Sequence, residues 1–357
     1  MHLKLHIKQL SITILFWIFT VIFFVIVRNY GLEEVLNVPP FNPFSIMPEL
    51  IISSIFIGTI IFFMDIFFEK IFENKVTYIS FVLLKSLSYL LLLTAGSFIF
   101  NVVSALGSAD IQINLQLIFN EYYIDNQLNT FVTYLYFSVV FILYNFLQQI
   151  RNRFAPGVLS KIFLGKFYEP KEVQRIFMFL DLKSSTTYAE TLGHIKYSEL
   201  IKNCFNDLTE SVLKHKSEIY QYAGDCVVLT WNIKNGLSKD NCFNFFFSFE
   251  NSINKRKDYY QNKFGLIPEF KAGLNMGSAT ITEVGEIKKE IAYHGDAINI
   301  AARIQDKCGE LNSVLLISDT LKDCLKDNNS FNLSFEGSFL LKGKNVESDI
   351  YSLSKIN

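Results

Sequence analysis

Apolar residues dominate the first 150 positions of the chain, and charged residues become frequent only after that point. An α-helix needs about 20 mostly apolar residues to cross the hydrocarbon core of a bilayer. Four stretches meet this requirement: Leu10–Val27, Ile51–Phe68, Val76–Phe100 and Phe131–Gln148. The pattern therefore predicts an all-α membrane domain of four transmembrane helices over residues 1–150, in contact with membrane lipid.

The basic residues next to these stretches indicate an orientation. Lysine and arginine occur before the first stretch, between the second and third, and after the fourth. The loop over residues 101–130 carries three acidic residues and no basic one. Because Lys and Arg are enriched on the cytoplasmic side, the N-terminus and everything after the fourth helix are predicted to be cytoplasmic, in a multi-pass cell-membrane protein. Arg28, after the first stretch, is the exception.

Two charged residues, Asp65 and Lys85, fall inside the predicted spans. Charges within a membrane are costly and mark functional positions. One interpretation is a buried ion pair, or a contact to an unidentified ligand in a sensor domain. The other is that Asp65 lies at the cytoplasmic interface, near the end of its span, and that Lys85 extends towards it. The sequence favours the interfacial position for Asp65.

A connector over residues 151–174 follows the last span. It contains two breaker sites, Pro156-Gly157 and Gly165 to Pro170, around a short amphipathic piece. It is predicted to be either a transducer of a signal from the membrane domain or a plain spacer. The net charge of the chain is −1, which gives no indication of a nucleic-acid partner. The five cysteines, all after residue 200, lack metal-site spacing and are predicted to be reduced thiols.

A solid apolar run, Ile176–Leu180, opens the soluble half and ends abruptly at Asp181. The run is typical of a strand buried on both faces. The hydroxyl residues Ser184 to Thr187 follow, and they are typical of a helix start at which side chains cap free N–H groups. A carboxylate at the end of a central strand, followed by a turn with free N–H groups, suits a metal ion beside a phosphate chain.

A second carboxylate, Asp225, is predicted at the tip of a hairpin. Two strand-like runs, Ile219–Tyr222 and Cys226–Trp231, are joined there by Ala223-Gly224-Asp225. If this hairpin pairs with the opening strand, Asp181 and Asp225 meet at one sheet edge. Two close like charges require a cation between them, and Mg²⁺ prefers one or two carboxylates together with phosphate oxygens.

The remaining elements complete an α/β pattern of helices and strands. Asn299 and Arg303 lie four residues apart on one face of the last long predicted helix. The predicted helices are residues 188–216, 239–260 and 297–308, and the predicted strands are residues 269–276, 278–284, 288–294, 331–341 and 350–353.

Five segments together resemble the class III nucleotidyl cyclase catalytic domain. In order along the chain they are FLDLKSST (Phe179–Thr186), YAGDCVVLTW (Tyr222–Trp231), KAGLNMGSATITEVG (Lys271–Gly285), HGDAINIAARI (His294–Ile304) and LKGK (Leu341–Lys344). Their order and spacing make the resemblance specific, whereas any one alone would be weak. It runs from about residue 175 to residue 353, which predicts a catalytic domain over residues 175–357, and it implies a ferredoxin-like βαβ domain that dimerises with its active sites at the interface.

The resemblance also implies a role for each site residue. Asp181, Asp225 and the backbone carbonyl of Leu182 would hold two Mg²⁺ (or Mn²⁺) ions. The backbone from Leu182 through Lys183 and Ser184 to Ser185 would cradle the β- and γ-phosphates. From the other protomer of a homodimer, Asn299 would orient the ribose and Arg303 would stabilise charge on the reacting phosphate. Lys342, rather than Lys344, would contact the polyphosphate.

The base-binding positions depart from the family pattern. Adenylyl cyclases of this class commonly have Lys where this chain has Gln221, and Asp or Thr where it has Ala292. Guanylyl cyclases commonly have Glu and Cys there. The expected function is therefore a membrane-bound adenylate cyclase with ATP as substrate, chosen from the family alone. The alternatives are a guanylate cyclase acting on GTP, a diguanylate-type cyclase, and a nucleotide-binding membrane receptor without turnover.

Overall fold

The computed structural model describes residues 2–29, 42–72, 75–107, 127–151, 162, 164–325, 330–342 and 346–356. The chain divides into two compact units, Met1–Phe154 and Ala155–Asn357. The first is helical and the second is built on a β-sheet, so the fold class predicted from the sequence is confirmed. Residues 152–161 and 163 of the connector lie outside the described residues.

The first unit consists, in its described part, of the four predicted helices. They are α1 (His2–Asn29), α2 (Pro43–Phe72), α3 (Tyr78–Gly107) and α4 (Gln127–Arg151). Each contains a segment long and apolar enough to span a membrane: Gln9–Arg28, Ile46–Phe72, Tyr78–Ile99 and Thr130–Arg151. Large apolar side chains such as Phe19, Phe56 and Ile79 point outwards and are exposed. An apolar outer surface of this kind suits a lipid environment.

Aromatic side chains fill the interior of this unit. Trp17 and Tyr89 are fully buried and pack with Phe137, Phe141 and Tyr144 of α4. The Trp17 ring lies 5.2 Å from that of Phe141, and the Tyr89 ring 5.5 Å from the same residue. Because lipid tails are as apolar as these side chains, close packing rather than water exclusion holds such helices together.

A buried polar network centred on Asp65 connects all four helices. The Lys85 ammonium of α3 lies 2.5 Å from the Asp65 carboxylate of α2, and both side chains are buried, Lys85 at 2% exposure. Tyr144 and Gln148 of α4 donate hydrogen bonds to Asp65 at 2.9 and 2.8 Å. These donors satisfy a carboxylate that has left water.

Two further hydroxyls extend this network to α3 and α1. Tyr89 also donates to Asp65, and Thr13 of α1 lies 3.1 Å from the Tyr144 hydroxyl. The buried Asp65–Lys85 pair anticipated as one alternative is confirmed. The interfacial position favoured for Asp65 concerns the depth of the residue in the bilayer and stays a prediction.

The second unit is a single eight-stranded sheet with helices on both faces. The strands lie in the order β2-β3-β1-β4-β6-β8-β7, and β5 pairs with β4. Strand β4 is parallel to β6, and the other neighbouring pairs are antiparallel. The strands are β1 (Lys171–Leu182), β2 (Glu218–Ala223), β3 (Cys226–Asn232), β4 (Phe270–Val284), β5 (Glu290–His294), β6 (Leu315–Ser318), β7 (Phe331–Phe339) and β8 (Ser348–Lys355).

The helices of this unit are numbered on from the membrane helices. They are α5 (Ser185–Lys214), α6 (Ile233–Leu237), α7 (Asn241–Lys255), α8 (Lys257–Phe264), α9 (Asp296–Glu310) and α10 (Asp319–Lys322). A 3₁₀ turn, Ser238–Asp240, links α6 to α7.

The two faces of β1 explain why its sequence is apolar without alternation. Ile176, Met178 and Leu180 face the core formed with α5 and α7. Phe177, between them, faces the opposite side and packs with Ala297 and Ala301 of α9. A strand covered on both faces has no polar side to present, which is why a continuous apolar run predicted it.

Several elements differ from the sequence-based prediction. Strand β4 continues through Gly277 as one strand, and a Cβ there would lie 3.0 Å from the Ala297 Cβ, so the glycine permits close packing of α9. Strand β6 and α10 were not predicted. The helix predicted over residues 239–260 is divided at Arg256, whose φ of −108° interrupts it. Helix α5 contains a break at Gly193, with φ 72°.

Candidate active site

Asp181 lies near the end of β1 and beside the tip of the β2–β3 hairpin. It pairs in register with Cys226 of β3, the residue after Asp225, and with Lys271 of β4. Gly224 makes the turn at the hairpin tip with a φ of 64°, a conformation that glycine adopts without strain. The antiparallel pairing of β1 and β3 thus brings the two predicted metal ligands to the same sheet edge.

The electrostatics of Asp181 reflect this proximity. Burial raises the pKa of the Asp181 carboxyl, and the neighbouring charge of Asp225 raises it further. The Lys271 ammonium, 3.6 Å from Asp181 Oδ2, partly offsets the effect. The pKa of the Tyr197 hydroxyl is also raised, by burial and then by Asp225. A divalent cation bound between the two carboxylates would relieve their repulsion at this half-buried edge.

The cost of an ionised, half-buried Asp181 beside Asp225 predicts that Asp181→Asn stabilises the metal-free protein. An acid with a raised folded-state pKa loses stability as pH rises from the unfolded value, 3.8, through the folded value. Because pH 7 lies above the unfolded value, the wild-type chain carries this cost there, and the variant is expected to unfold at a higher temperature in EDTA. The difference should vanish below about pH 3.8, where both folded and unfolded Asp181 are protonated.

Asp306→Asn is the matched control for this prediction, because the Asp306 side chain is 59% exposed. Its unfolding free energy should change by no more than about 0.5 kcal/mol. Adding Mg²⁺ should stabilise wild type and leave Asp181→Asn unchanged, since only a ligand that binds the folded state shifts the equilibrium. An Asp181→Asn chain less stable than wild type at pH 7 would contradict the argument.

The loop after β1 carries the predicted phosphate cradle. Lys183 donates its backbone N–H to the Glu269 carbonyl at 2.8 Å, and its ammonium lies 3.3 Å from the Glu269 carboxylate. Ser184 occupies the N-cap position with a left-handed φ of 53° and makes no side-chain cap hydrogen bond. The predicted hydroxyl capping of this helix start is therefore wrong at Ser184. The first N–H groups of α5 have no intrahelical acceptor, and they suit an anion.

The donor set at this edge fits a divalent hard cation. Asp181 and Asp225 supply carboxylate oxygens and Leu182 a backbone carbonyl, the ligands that Mg²⁺ and Mn²⁺ prefer. Among the described residues no group of three His, Cys, Asp or Glu side chains surrounds one point. Two carboxylates leave several coordination positions for water and phosphate oxygens, which is typical of Mg²⁺ bound with a nucleotide.

Helix α9 carries site residues on two different sides. Asn299 and Arg303 lie on its outward side, and Arg303 forms an ion pair with Asp306 at 3.3 Å. Gln305, only two residues after Arg303, donates to Asp181 Oδ2 at 3.0 Å. Successive residues are about 100° apart around a helix, so Arg303 and Gln305 point in nearly opposite directions. The fold therefore does not bring Asn299 and Arg303 to the carboxylates of their own chain.

Lys342 lies on the side of the sheet that α9 covers. It is exposed and follows the buried Leu341, which packs with Ile304 and Cys308 of α9. Lys344 lies outside the described residues.

The two predicted base-binding residues lie on β2 and β5. Gln221 is exposed and follows a β-bulge between Ile219 and Gln221. Ala292 is half-buried and pairs with Thr282 of β4. Beside them, the Tyr220 ring contacts that of Tyr293 at 5.1 Å, and the Tyr220 hydroxyl accepts from the Tyr293 N–H at 3.3 Å. The strands that carry these two positions are thus linked by a tyrosine pair.

Sequence reasoning did not find three residues in contact with the predicted metal ligands: Gln305, Lys271 and Tyr197. A signal existed for Gln305. It continues the apolar stripe of Ala297 and Ala301 at intervals of four residues, and a polar residue on a buried stripe needs a buried partner.

The β-sheet unit matches a described protein family over almost its whole length. Residues 169–355 match the adenylate and guanylate cyclase catalytic domain. The chain belongs to this family. The membership confirms the resemblance drawn from the five sequence segments. Cyclase domains of this family act on nucleotides, generally use divalent metals and are typically dimeric.

Two cyclases of Rhizobium meliloti (strain 1021) are similar in sequence. Adenylate cyclase 2 is 30% identical over 176 residues, 49% of this chain and 48% of that protein. Adenylate cyclase 1 is 26% identical over 203 residues, 55% of this chain and 30% of that protein. The chain thus spans about half the length, or less, of these relatives.

Solved structures of a bacterial light-regulated adenylyl cyclase share the fold. One has a TM-score of 0.53 at 19% identity and covers 61% of this chain and 63% of its own. Another has a TM-score of 0.54 at 16% identity, with coverages of 65% and 66%. At this identity the similarity concerns the fold of the cyclase domain.

Proposed function

We propose that the chain is a membrane-bound adenylate cyclase that converts ATP to 3′,5′-cyclic AMP and pyrophosphate. One observation carries the proposal: Asp181 and Asp225 meet at the end of β1, beside a loop whose N–H groups suit phosphate. The names of the two Rhizobium relatives favour ATP over GTP. Gln221 can both donate and accept hydrogen bonds, so its amide is compatible with adenine.

In the proposed reaction the ribose 3′-hydroxyl attacks the α-phosphorus in line with the leaving group. The O3′–P bond forms, the bond from the α-phosphorus to the bridging oxygen breaks, and pyrophosphate leaves with the electron pair. The hydroxyl proton passes to water. Two divalent metal ions, when bound, lower the pKa of the hydroxyl and neutralise charge on the phosphates. Asp181, Asp225 and the Leu182 carbonyl hold them, and the backbone of residues 182–185 binds the β- and γ-phosphates.

The other half of the site comes from the second protomer of a homodimer. The outward direction of Asn299 and Arg303 supports this arrangement, because it removes them from their own chain's carboxylates. Asn299 orients the ribose, and Arg303 stabilises charge at the reacting phosphate. Lys342 contacts the polyphosphate, and Gln221 and Ala292 adjoin the base. One chain contains every residue type, so the homodimer has two equivalent sites.

The four apolar helices anchor this enzyme in the cell membrane with the catalytic domain in the cytoplasm. The distribution of basic residues supports that topology. The polar network around Asp65 reaches Gln148, three residues before the end of α4, the helix that leads to the connector. A change in the membrane domain, including binding of a ligand there, thereby has a route towards the cyclase domain.

Product identity tests the proposed function. The full chain is reconstituted in membranes and supplied with ATP or GTP separately, with Mg²⁺ or Mn²⁺, and the product is identified by mass. Cyclic AMP is the expected product, and Asp181→Ala should make none while binding to the membrane as wild type does. Cyclic GMP would overturn the choice of base. Absence of either product from folded protein would favour a nucleotide-binding receptor.

A further inference from the structure

The hydrogen bond between Gln305 and Asp181 has no part in the reaction described so far. The Gln305 side-chain amide donates to Asp181 Oδ2 at 3.0 Å, and Gln305 is 7% exposed. We propose that Gln305 is a positioning residue that orients the Asp181 carboxylate for the metal ion, a role that rests on the proposed function. Mutation of a side chain that holds a metal ligand in place typically costs about 10- to 100-fold in metal affinity or activity.

Among the residues that the structure describes, two polar contacts reach Asp181, and both fall on the same oxygen. Gln305 Nε2 and the Lys271 ammonium, 3.6 Å away, approach Oδ2. With Oδ2 so engaged, rotation of the carboxylate is restricted and Oδ1 is the oxygen left for the metal. A ligand fixed in this way loses less freedom when the ion binds, which raises affinity.

The two contacts differ in how they respond to a bound cation. An ammonium and a divalent ion repel each other, so the Lys271 contact weakens when the metal is present. The Gln305 amide is neutral and donates through an N–H, so its hydrogen bond persists next to the ion. Gln305 is therefore the contact that holds Asp181 in both the metal-free and the metal-bound state.

The backbone beneath Gln305 is fixed by close packing of α9 on β4. A Cβ on Gly273 would lie 2.2 Å from the Gln305 backbone nitrogen and 2.7 Å from the Ala301 carbonyl. Only a glycine at this position permits α9 to approach so closely. Gly273 is two residues from Lys271, the register partner of Asp181, so the close contact sets Gln305 over the carboxylate.

The experiment compares Gln305→Leu with a matched variant, Asn275→Leu. Asn275 is also buried, at 3% exposure, and donates to the Ala297 carbonyl of α9 at 3.0 Å, but it contacts neither Asp181 nor Asp225 in the described structure. Mn²⁺ binding to the full chain in detergent is measured without nucleotide by electron paramagnetic resonance. Asp181→Ala supplies the background, and thermal unfolding is recorded for every variant.

Gln305→Leu is expected to weaken Mn²⁺ binding by about 10- to 100-fold, the range found for comparable supporting residues. Its kcat should approach wild type at saturating Mn²⁺. Asn275→Leu should lower the unfolding temperature without changing the Mn²⁺ affinity. Unchanged affinity in Gln305→Leu, equal losses in both variants, or no Asp181-dependent Mn²⁺ binding in wild type would overturn the proposal. If Mn²⁺ binding depends on Gln305 in a chain that forms no cyclic nucleotide, the positioning role of Gln305 stands and the proposed function is refuted.

Discussion

Asp181→Ala and Arg303→Ala chains, each inactive as a homodimer, are expected to form an active enzyme when combined in one dimer. In the proposed dimer, Asp181 and Arg303 belong to different halves of the site, because Arg303 points away from the Asp181 carboxylate that Gln305 of the same helix contacts. In the mixed dimer, one site contains both mutations and the other contains none. Purified heterodimers should therefore have about half the wild-type activity, since a two-fold dimer has two equivalent sites.

The two parent homodimers set the baseline for this measurement. Removing a charge-stabilising arginine from a phosphoryl-transfer site costs about 10³-fold in rate or more, so Arg303→Ala should be almost inactive. The heterodimer is isolated through a different affinity tag on each chain, and cyclic nucleotide formation is measured at saturating ATP. A heterodimer of two chains that both carry Asp181→Ala and Arg303→Ala is the control. Failure of the mixed dimer to regain activity would place both residues in the same protomer's site.

Replacing Lys85 by Met is expected to destabilise the membrane domain severely. The substitution leaves the Asp65 carboxylate buried without its cation, and breaking a buried ion pair on one side costs about 3–5 kcal/mol. The double variant Lys85→Met with Asp65→Asn removes the charge altogether and should recover most of the loss. Thermal unfolding of the full chain in lipid nanodiscs measures both effects.

Lys70→Met is the control for the loss of a positive charge, because Lys70 lies on α2 and is exposed. It should unfold close to the wild-type temperature. Equal unfolding temperatures for Lys85→Met and Lys70→Met would show that the ion pair adds nothing to the stability of the helices. A double variant as unstable as Lys85→Met would indicate that Tyr144 and Gln148 need the charged carboxylate as their acceptor.

The parts of this protein that sequence predicts best are those governed by local pattern. The four long helices follow from the length of their apolar runs, and the position of Asp181 follows from a buried strand that ends in a charge. Asp225 was predictable because a Gly-Asp turn between two strand-like runs makes a hairpin. Each of these signals lies within about twenty consecutive residues, so no knowledge of tertiary packing was required.

The features that sequence did not predict depend on contacts between distant segments. Strand β6 is only four residues long, Leu315–Ser318, and it is a strand because it pairs with β4 and β8. Gln305 meets Asp181 across 124 positions of sequence, and the contact depends on the close approach of α9 at Gly273.

Helix α9 has a consequence for how the two sites of a dimer communicate. Its 15 residues form one continuous helix, with Gln305 on Asp181 of its own chain and Arg303 directed outwards, towards the proposed partner's site. In the proposed dimer, this one helix would contribute to both sites. Filling one site would order the helix that the other site uses, so the second ATP would meet a partly ordered enzyme, which is the condition for positive cooperativity.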